Sequence, residues 1–419
     1  TAAIPVAYLA TARLLRNRRA ALCVAALAAC NPLLIWYSQE ARAYELLVLT
    51  AAASLLAFAC ARERPTPWRL AAWGLVSGIA LVSHYDAALV VVPQALWLLG
   101  EHRRRIGPWL AVGFVAACGG ALLPLLIEQS GRGNSAWIAR AALNDRLGQI
   151  LPQFLLGTGS HAYTALMWVA FVLGALALVL LARFASSTER RLALGAGAIA
   201  LGGFALVMVV DAFGSDTVLT RNLLALWLPA AIVVGAGLGA ARTRRLGVAV
   251  TVVLCAIGLT AAVSVATDYT LQRPDWAAVA RALGPWPRLG QPRGTTRLLV
   301  FQRNVWLESL TQVYMTRTSK LGTGKPHHVT EIDIVANSAP PHSTEHWLCW
   351  WGAGCNLYPS RLARSYAIPG FHAVSRTHVR QFTILRLVSD RPRRVYQGQI
   401  QSALEAAGSP LYGLLIQRP

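Results

Sequence analysis

Charged side chains are scarce in this chain, and lysine is almost absent. Only 14% of the 419 residues are charged, whereas 55% are hydrophobic, and the two lysines are Lys320 and Lys325. This composition excludes an ordinary soluble globular protein, which carries far more charge on its surface. We therefore expect a polytopic membrane protein with a further domain attached.

Several signatures of soluble enzymes are also missing. No glycine-rich phosphate-binding loop follows a strand and opens a helix, and the segment Gly322–His328 lacks the spacing of a P-loop. Neither the HExxH zinc motif nor the GxSxG nucleophile elbow occurs. These absences argue against a nucleotide-sugar enzyme of the soluble type, a zinc hydrolase of that kind and a serine hydrolase.

The formal net charge of +21 raises the question of a nucleic-acid partner. Nucleic-acid binding requires basic residues clustered on one soluble face. Within residues 1–266 most of the arginines lie in short loops between apolar runs, where they are explained by membrane orientation. The sequence therefore predicts a lipid bilayer, and no nucleic acid, as the partner of these arginines.

Apolar runs of near-spanning length recur through the first 266 residues. They are Thr1–Leu15, Ala20–Trp36, Tyr44–Ala61, Arg69–Ser83, Ala87–Gly100, Gly107–Ile127, Ala162–Ala182, Leu192–Val210, Leu223–Ala240 and Leu246–Ala266. Alternate loops are rich in arginine, namely Arg13 to Arg19, Arg62 to Arg69, Arg103 to Arg105, Arg183 to Arg191 and Arg242 to Arg245. The positive-inside rule makes these loops cytoplasmic and places the other loops, together with everything after Ala266, outside.

The two runs between Arg69 and Gly100 are each shorter than the roughly 20 residues of a full span. A break at Ser83 to Asp86 predicts a hairpin whose tip stays below the outer membrane surface. A single long tilted helix is the alternative, but it would disturb the charge alternation of all later loops. The charge pattern favours the hairpin.

The first residue, Thr1, already lies inside an apolar run that crosses from outside to inside. If the native amino terminus is cytoplasmic, an odd number of spans precedes it. The simplest expectation is one further span followed by an external loop upstream of this sequence.

Residues 267–419 differ from the preceding part in hydropathy pattern and composition, with short apolar runs and more Pro, Gly and His. The segments RPDWAAVARAL, ESLTQVYM and QGQIQSALEAAG have helical spacing, whereas RLLVF, EIDIVAN and FTILRLV read as strands. This alternation predicts an external soluble α/β domain after a multi-span membrane domain of residues 1–266.

Two of the seven cysteines, Cys349 and Cys355, lie in the predicted external domain around Gly352 and Gly354. A short flexible loop in an exported compartment predicts a disulfide between them. A two-ligand metal site is the alternative, although neighbouring His342 and His346 form no recognised zinc spacing. The other cysteines lie in apolar runs and are interpreted as small hydrophobic residues.

The segment WYSQEARAYEL (residues 36–46) resembles the bacterial members of the dolichyl-phosphate-mannose protein mannosyltransferase superfamily. These are membrane glycosyltransferases of family-39 type with the GT-C fold, and they include lipid A aminoarabinose transferases. The segments SHYDAALVVVPQALWLL, RNLLALWLPAAIVVGAGL and RPDWAAVARAL extend the resemblance. It implies transfer of a sugar from a polyprenyl-phosphate donor to a protein, lipid or polysaccharide acceptor by direct displacement. It also implies that the catalytic acidic residue lies in the first external loop, which this sequence lacks, so no catalytic base is assigned.

When the sugar is transferred, the polyprenyl phosphate of the donor leaves as an anion. This anion must be bound and neutralised. Arginine suits this task because its planar fork stays charged and donates to two phosphate oxygens. Arg42 and Arg221 lie at outer membrane ends and are predicted to bind the donor phosphate; snorkelling to lipid headgroups is the alternative. The predicted supporting residues are Gln39, Glu40, Tyr44, His84, Tyr85, Asp86 and Asn222. Glu40 is interpreted as orienting Arg42 by pairing with it, with direct action on the acceptor as its alternative.

His84, Tyr85 and Asp86 form the predicted hairpin tip. A His beside an Asp suits phosphate binding, acid catalysis or a divalent metal, but a polar turn that satisfies its own backbone has the same sequence. No metal ligand is predicted, and the cofactor is left open. Asp211 and Asp216, which precede Arg221, are interpreted as solvated loop residues.

These observations predict an α-helical polytopic membrane protein of GT-C type with a carboxy-terminal external α/β domain. We expect a glycosyltransferase in the cytoplasmic (inner) membrane, acting at its outer face. A transporter or flippase for a lipid-linked saccharide is the alternative, in which the same arginines bind phosphate without chemistry. A catalytically inactive relative with a binding domain is a third hypothesis.

Overall fold

A computed structural model describes residues 2–132, 138, 141–159, 163–272, 275–286, 295–302, 313–315, 317–320, 326–337, 362–408 and 411–419. Contacts divide the chain into two compact units, Thr1–Ser264 and Val265–Pro419. The predicted pair Cys349 and Cys355, and most of the predicted helix ESLTQVYM, lie outside the described residues. The five other cysteines are free thiols.

The first unit is built from helices. They are α1 (Ala3–Leu15), α2 (Arg18–Cys30), α3 (Pro32–Ser38), α4 (Tyr44–Glu63), α5 (Pro67–Ser83), α6 (Ala88–His102), α7 (Ile106–Gly131), α8 (Leu143–Leu156), α9 (Thr164–Phe184), α10 (Ser187–Val210), α11 (Trp227–Leu238) and α12 (Arg244–Thr267), the last of which runs across the unit boundary. Each predicted apolar run overlaps one of these helices, except Ala20–Trp36, which is divided between α2 and α3. The helix α8 was not predicted.

Among the residues that the structure describes, six helical segments are long and apolar enough to cross a membrane. They are Tyr44–Glu63, Ile106–Gly131, Thr164–Phe184, Ser187–Gly214, Thr220–Leu238 and Ala241–Thr267, and α2 with α3, bent by 57°, forms a seventh if counted as one broken span. Helices α1, α5 and α6 have only 13, 17 and 15 residues. At about 1.5 Å per residue α5 and α6 are shorter than the hydrocarbon core, in keeping with the hairpin expected for this pair.

The predicted break between α5 and α6 is present. Helix α5 ends at Ser83, a short 3-10 turn covers Tyr85–Ala87, and α6 begins at Ala88. Away from the turn, the buried Trp73 indole of α5 donates to Gln94 of α6, which also accepts from Ser54 of α4. These hydrogen bonds join α4, α5 and α6 where no water is available to satisfy polar groups.

Close backbone approaches hold the membrane unit together. A Cβ atom at Gly203 of α10 would collide with the Leu89 carbonyl of α6, and one at Gly239 would collide with the backbone of Ala20 in α2. Small residues at such crossings let helices gain dispersion contacts where lipid supplies no hydrophobic driving force. The membrane fold therefore depends on glycine at these two crossings.

The second unit contains a six-stranded mixed sheet. Its strands are β1 (Thr296–Gln302), β2 (Thr318–Lys320), β3 (His327–Asn337), β4 (His372–Val379), β5 (Phe382–Val395) and β6 (Leu411–Gln417), in the order β2-β6-β1-β3-β5-β4. Among these six described strands, β1 and β3 pair in parallel and the other neighbours pair antiparallel. Helices α13 (Trp276–Leu283) and α14 (Gln397–Ala406) contribute to the cores on the two faces.

The sequence of β1 explains why it lies in the middle of the sheet. Leu298 and Val300 enter the core that contains α14, whereas Leu299 and Phe301 enter the core that contains α13. Alternate residues of a strand point to opposite faces, so an uninterrupted apolar run is buried on both. The predicted buried strand RLLVF is confirmed, as are the strands EIDIVAN and FTILRLV, which the structure extends at one end.

A cluster of charged side chains is buried between α13 and the sheet. Arg297 on β1 lies 3.6 Å from Glu331 and 3.4 Å from Asp333, both on β3. Arg386 on β5 lies 3.1 Å from Glu331 and 2.8 Å from Asp333. Both arginines also donate to the carbonyl of Leu283 at the end of α13, where cations complement the helix dipole. The cluster therefore fastens α13 to three strands.

This cluster predicts a pH-dependent stability of the second unit. Burial and the neighbouring Glu331 carboxylate raise the pKa of Asp333 to about 7, while the two arginines act in the opposite direction. The folded unit then retains a proton that the unfolded chain releases near pH 4. Its free energy of unfolding should decrease as the pH rises from about 4 to about 7. Hydrogen exchange of β1, β3 and β5 at pH 5 and pH 8 measures this, and Asp333→Asn should remove that part of the slope. An unchanged slope in the variant would assign the effect to other groups.

Candidate functional site

The loop 39–43 joins α3 to α4 and contains the predicted pair Glu40 and Arg42. Helix α3 ends where the backbone N–H of Gln39 donates to the carbonyl of Trp36. The Glu40 side chain is 4% exposed and that of Arg42 is 59% exposed, and Arg42 Nε lies 3.9 Å from Glu40 Oε2. Glu40 is thus a buried carboxylate at ion-pair distance from a guanidinium that is largely exposed. This geometry agrees with pairing, the preferred interpretation of Glu40.

An aromatic stack connects α3 and α4 to the turn after α5. The Tyr44 ring contacts the Tyr37 ring edge-on at a centroid distance of 4.9 Å and the His84 ring at 5.4 Å. Tyr44 is buried because it is the first residue of α4 and points back into the bundle. The predicted supporting residues Tyr44 and His84, 40 positions apart in sequence, therefore lie in contact.

The turn His84–Ala87 satisfies part of its own backbone. The Asp86 N–H donates to His84 Nδ1 over 3.2 Å, and Asp86 Oδ2 lies 3.4 Å from the same nitrogen. This is the polar-turn geometry that the sequence left open for these residues. Tyr85, between them, is half-buried.

The short helix Thr220–Leu226 packs against this turn and carries Arg221. The positive charge of Arg221 acts on both His84 and Asp86 of this turn. Asn222 donates to the Thr217 carbonyl over 2.7 Å, so its side chain braces the loop.

A cavity of about 180 Å³ lies between α1, α2, α3, α4 and α11. Its polar lining comes from Tyr37, Ser38, Tyr44 and Glu45, and the rest is apolar or small, including Ala28, Leu34 and Trp227. The polar residues belong to the end of α3 and the start of α4, which flank the Glu40–Arg42 loop. The cavity is thus an apolar slot with one polar end.

A second charged cluster was not predicted. Arg146 of α8 is buried and binds Asp211 over 3.3 Å and Asp216 over 2.9 Å. The side chain of Asp211 is only 7% exposed, so its interpretation as a solvated loop residue is wrong; that of Asp216, at 36%, is more accessible but also paired. Burial of the carboxylate is possible because Arg146 and two backbone N–H groups compensate its charge.

Within the ranges that the structure describes, no three His, Cys, Asp or Glu side chains come together as metal ligands. His84 and Asp86 form a pair without a third such group in those ranges. The structure therefore adds no support to the divalent-metal interpretation of this turn.

Residues 1–126 match the family model described as dolichyl-phosphate-mannose-protein mannosyltransferase. The resemblance to that superfamily is thereby confirmed. The match supports a mannosyltransferase-like membrane glycosyltransferase of GT-C type, and it includes α1 to α6, the Glu40–Arg42 pair and the turn at His84. No curated protein and no solved structure matches the chain.

Proposed function

We propose that this protein transfers a sugar from a polyprenyl-phosphate donor to an acceptor at the outer face of the cytoplasmic membrane. The observation that carries the proposal is the apolar slot whose polar residues lie at the end of α3 and the start of α4, the two helices joined by the loop that contains the exposed Arg42. A prenyl-linked donor has the matching chemistry, with an apolar chain, a phosphate and a polar sugar in that order. The family match supports the reaction class.

In this proposal the prenyl chain occupies the slot and Arg42 binds the phosphate. The acceptor oxygen forms a bond to the anomeric carbon as the bond from that carbon to the phosphate oxygen breaks. The acceptor proton passes to a base, and the polyprenyl phosphate leaves as an anion. Arg42, with Arg221 as the second predicted phosphate ligand, neutralises the charge that grows on the leaving group. The base is assigned to no residue of this sequence.

The reaction is tested by supplying the purified protein in detergent with a polyprenyl-phosphate donor labelled in its sugar. Formation of a labelled acceptor and free polyprenyl phosphate is the expected result. In vesicles, movement of the intact donor across the bilayer without sugar transfer would contradict the proposal and favour the transporter. Absence of both activities would favour the inactive relative.

A further inference from the structure

The segment between α10 and Thr220–Leu226 is fixed by the buried cluster Arg146–Asp211–Asp216. Asp211 Oδ1 accepts from the N–H groups of Thr217 and Val218 over 2.9 and 3.3 Å. The chain reverses within this segment, at Gly214 with φ 86° and Asp216 with φ 24°, both left-handed. Such a conformation is costly for a residue other than glycine, so the ion pair to Arg146 offsets strain at Asp216. The conformation of the segment therefore depends on Arg146.

Each guanidinium nitrogen of Arg146 already makes a contact within the protein. Its Nε donates to the Ala141 carbonyl over 3.1 Å, its first terminal nitrogen to Asp211 and its second to Asp216. The guanidinium is 4% exposed. Arg146 therefore acts within the protein, on the residues that it holds.

Arg221 is the functional candidate on the segment that Arg146 holds. It follows Asp216 by five residues, and the Asn222 amide ties the start of its helix to the Thr217 carbonyl. The helix Thr220–Leu226 packs against the turn that contains Asp86, on which the charge of Arg221 acts. A guanidinium loses a charge-assisted hydrogen bond when its backbone moves by about 1 Å, so the placement of this segment sets what Arg221 can reach.

We propose that Arg146, through its ion pair with Asp211, is a positioning residue that holds Arg221 where it binds the donor phosphate. This inference rests on the proposed function, because it takes a phosphate ligand as the task of Arg221. It explains why a buried ion pair, which is weak support for stability, is kept beside the candidate site.

A double-mutant cycle between Arg146 and Arg221 tests the inference. Arg146→Met and Arg221→Met should each lower kcat/KM for the donor by about ten- to hundredfold, the range for one hydrogen bond to a charged group. The double variant should be no worse than Arg221→Met alone, because both changes remove the same contact. The donor KM should rise in Arg146→Met. In Arg146→Lys, which keeps one charged donor, the donor KM should lie between that of the unaltered protein and that of Arg146→Met. Arg132→Met, which breaks an exposed pair with Glu128, is the matched control and should leave kcat/KM unchanged.

A second variant tests the inference even if Arg146→Met fails to fold. Asp211→Asn keeps an oxygen for the Thr217 and Val218 N–H groups but removes the negative charge, and it should raise the donor KM in the same direction. Additive effects in the cycle, or an unchanged donor KM in both Arg146→Met and Asp211→Asn, would overturn the positioning role while leaving the proposed function standing. An unchanged kcat/KM in Arg221→Met, with transfer still observed, would remove Arg221 from phosphate binding and overturn the inference by a different route.

Discussion

Replacing Arg42 by Ala is expected to abolish sugar transfer while leaving membrane insertion intact. The Arg42 guanidinium is 59% exposed and is held from one side by the buried Glu40 carboxylate at 3.9 Å. Its other donors are therefore available for the phosphate oxygens of the donor. Loss of a preorganised donor that binds growing negative charge lowers kcat by about a hundred- to thousandfold. Transfer of labelled sugar by the purified variant, normalised to the amount in the membrane, measures the effect.

The control variants separate charge from geometry at this position. Arg42→Lys keeps the positive charge but loses the planar fork, so partial activity is expected. Glu40→Gln keeps an oxygen beside Arg42 without its charge, and a smaller loss than that of Arg42→Ala is expected. Arg132→Ala removes an arginine of similar exposure that also pairs with a nearby glutamate, and it should transfer sugar normally. Full activity in Arg42→Ala would remove this loop from the mechanism.

The membrane helices and half of the candidate site follow from local sequence. Hydropathy predicted a helix in every apolar run, because a chain in lipid must satisfy its backbone internally. Glu40 and Arg42 are two residues apart, and His84 and Asp86 share one turn, so their proximity needs no knowledge of the fold. The length of each helix, rather than its hydropathy, decides how many of these helices are full spans.

The remaining part of the site depends on contacts that sequence spacing cannot reveal. Arg146 and Asp211 are 65 positions apart, and neither lies in a motif. Helix α8 had a signal in its apolar residues Leu143, Leu147, Ile150 and Phe154, which pack on the core, but Gly148 and Pro152 interrupt the pattern. The contact between Tyr44 and His84 likewise arises only when α4 and α5 pack.

Burial distinguishes the roles of the arginines discussed here. Arg42 is exposed and shares one carboxylate, so it has donors to offer a ligand. Arg146 is buried and every guanidinium nitrogen is engaged, so it can only hold other residues in place. Arg297, in the α/β unit, is buried like Arg146 and likewise holds other residues in place. The sequence does not distinguish Arg42 from Arg146 and Arg297, whereas their burial in the structure does.

Replacing Arg297 by Met is expected to destabilise the α/β unit strongly. Arg297 is fully buried and serves the carboxylates of Glu331 and Asp333, the carbonyls of Leu283 and Gly284, and the Gln417 amide oxygen. The strand pattern of EIDIVAN would place Glu331 and Asp333 on a solvent-facing side. They are buried instead because Arg297 and Arg386 lie on the two neighbouring strands.

Removing Arg297 leaves two buried carboxylates facing one arginine, and breaking a buried pair costs about 3–5 kcal/mol. The free energy of unfolding of a whole domain is only about 5–15 kcal/mol. Hydrogen exchange of β1, β3 and β5 in the intact protein should therefore accelerate by roughly two to three powers of ten. Arg391→Met, at an exposed position of the same sheet, is the control. Adding Asp333→Asn to Arg297→Met removes one of the uncompensated charges and should recover part of the protection. Slow exchange in Arg297→Met alone would show that the cluster is not what holds α13 to the sheet.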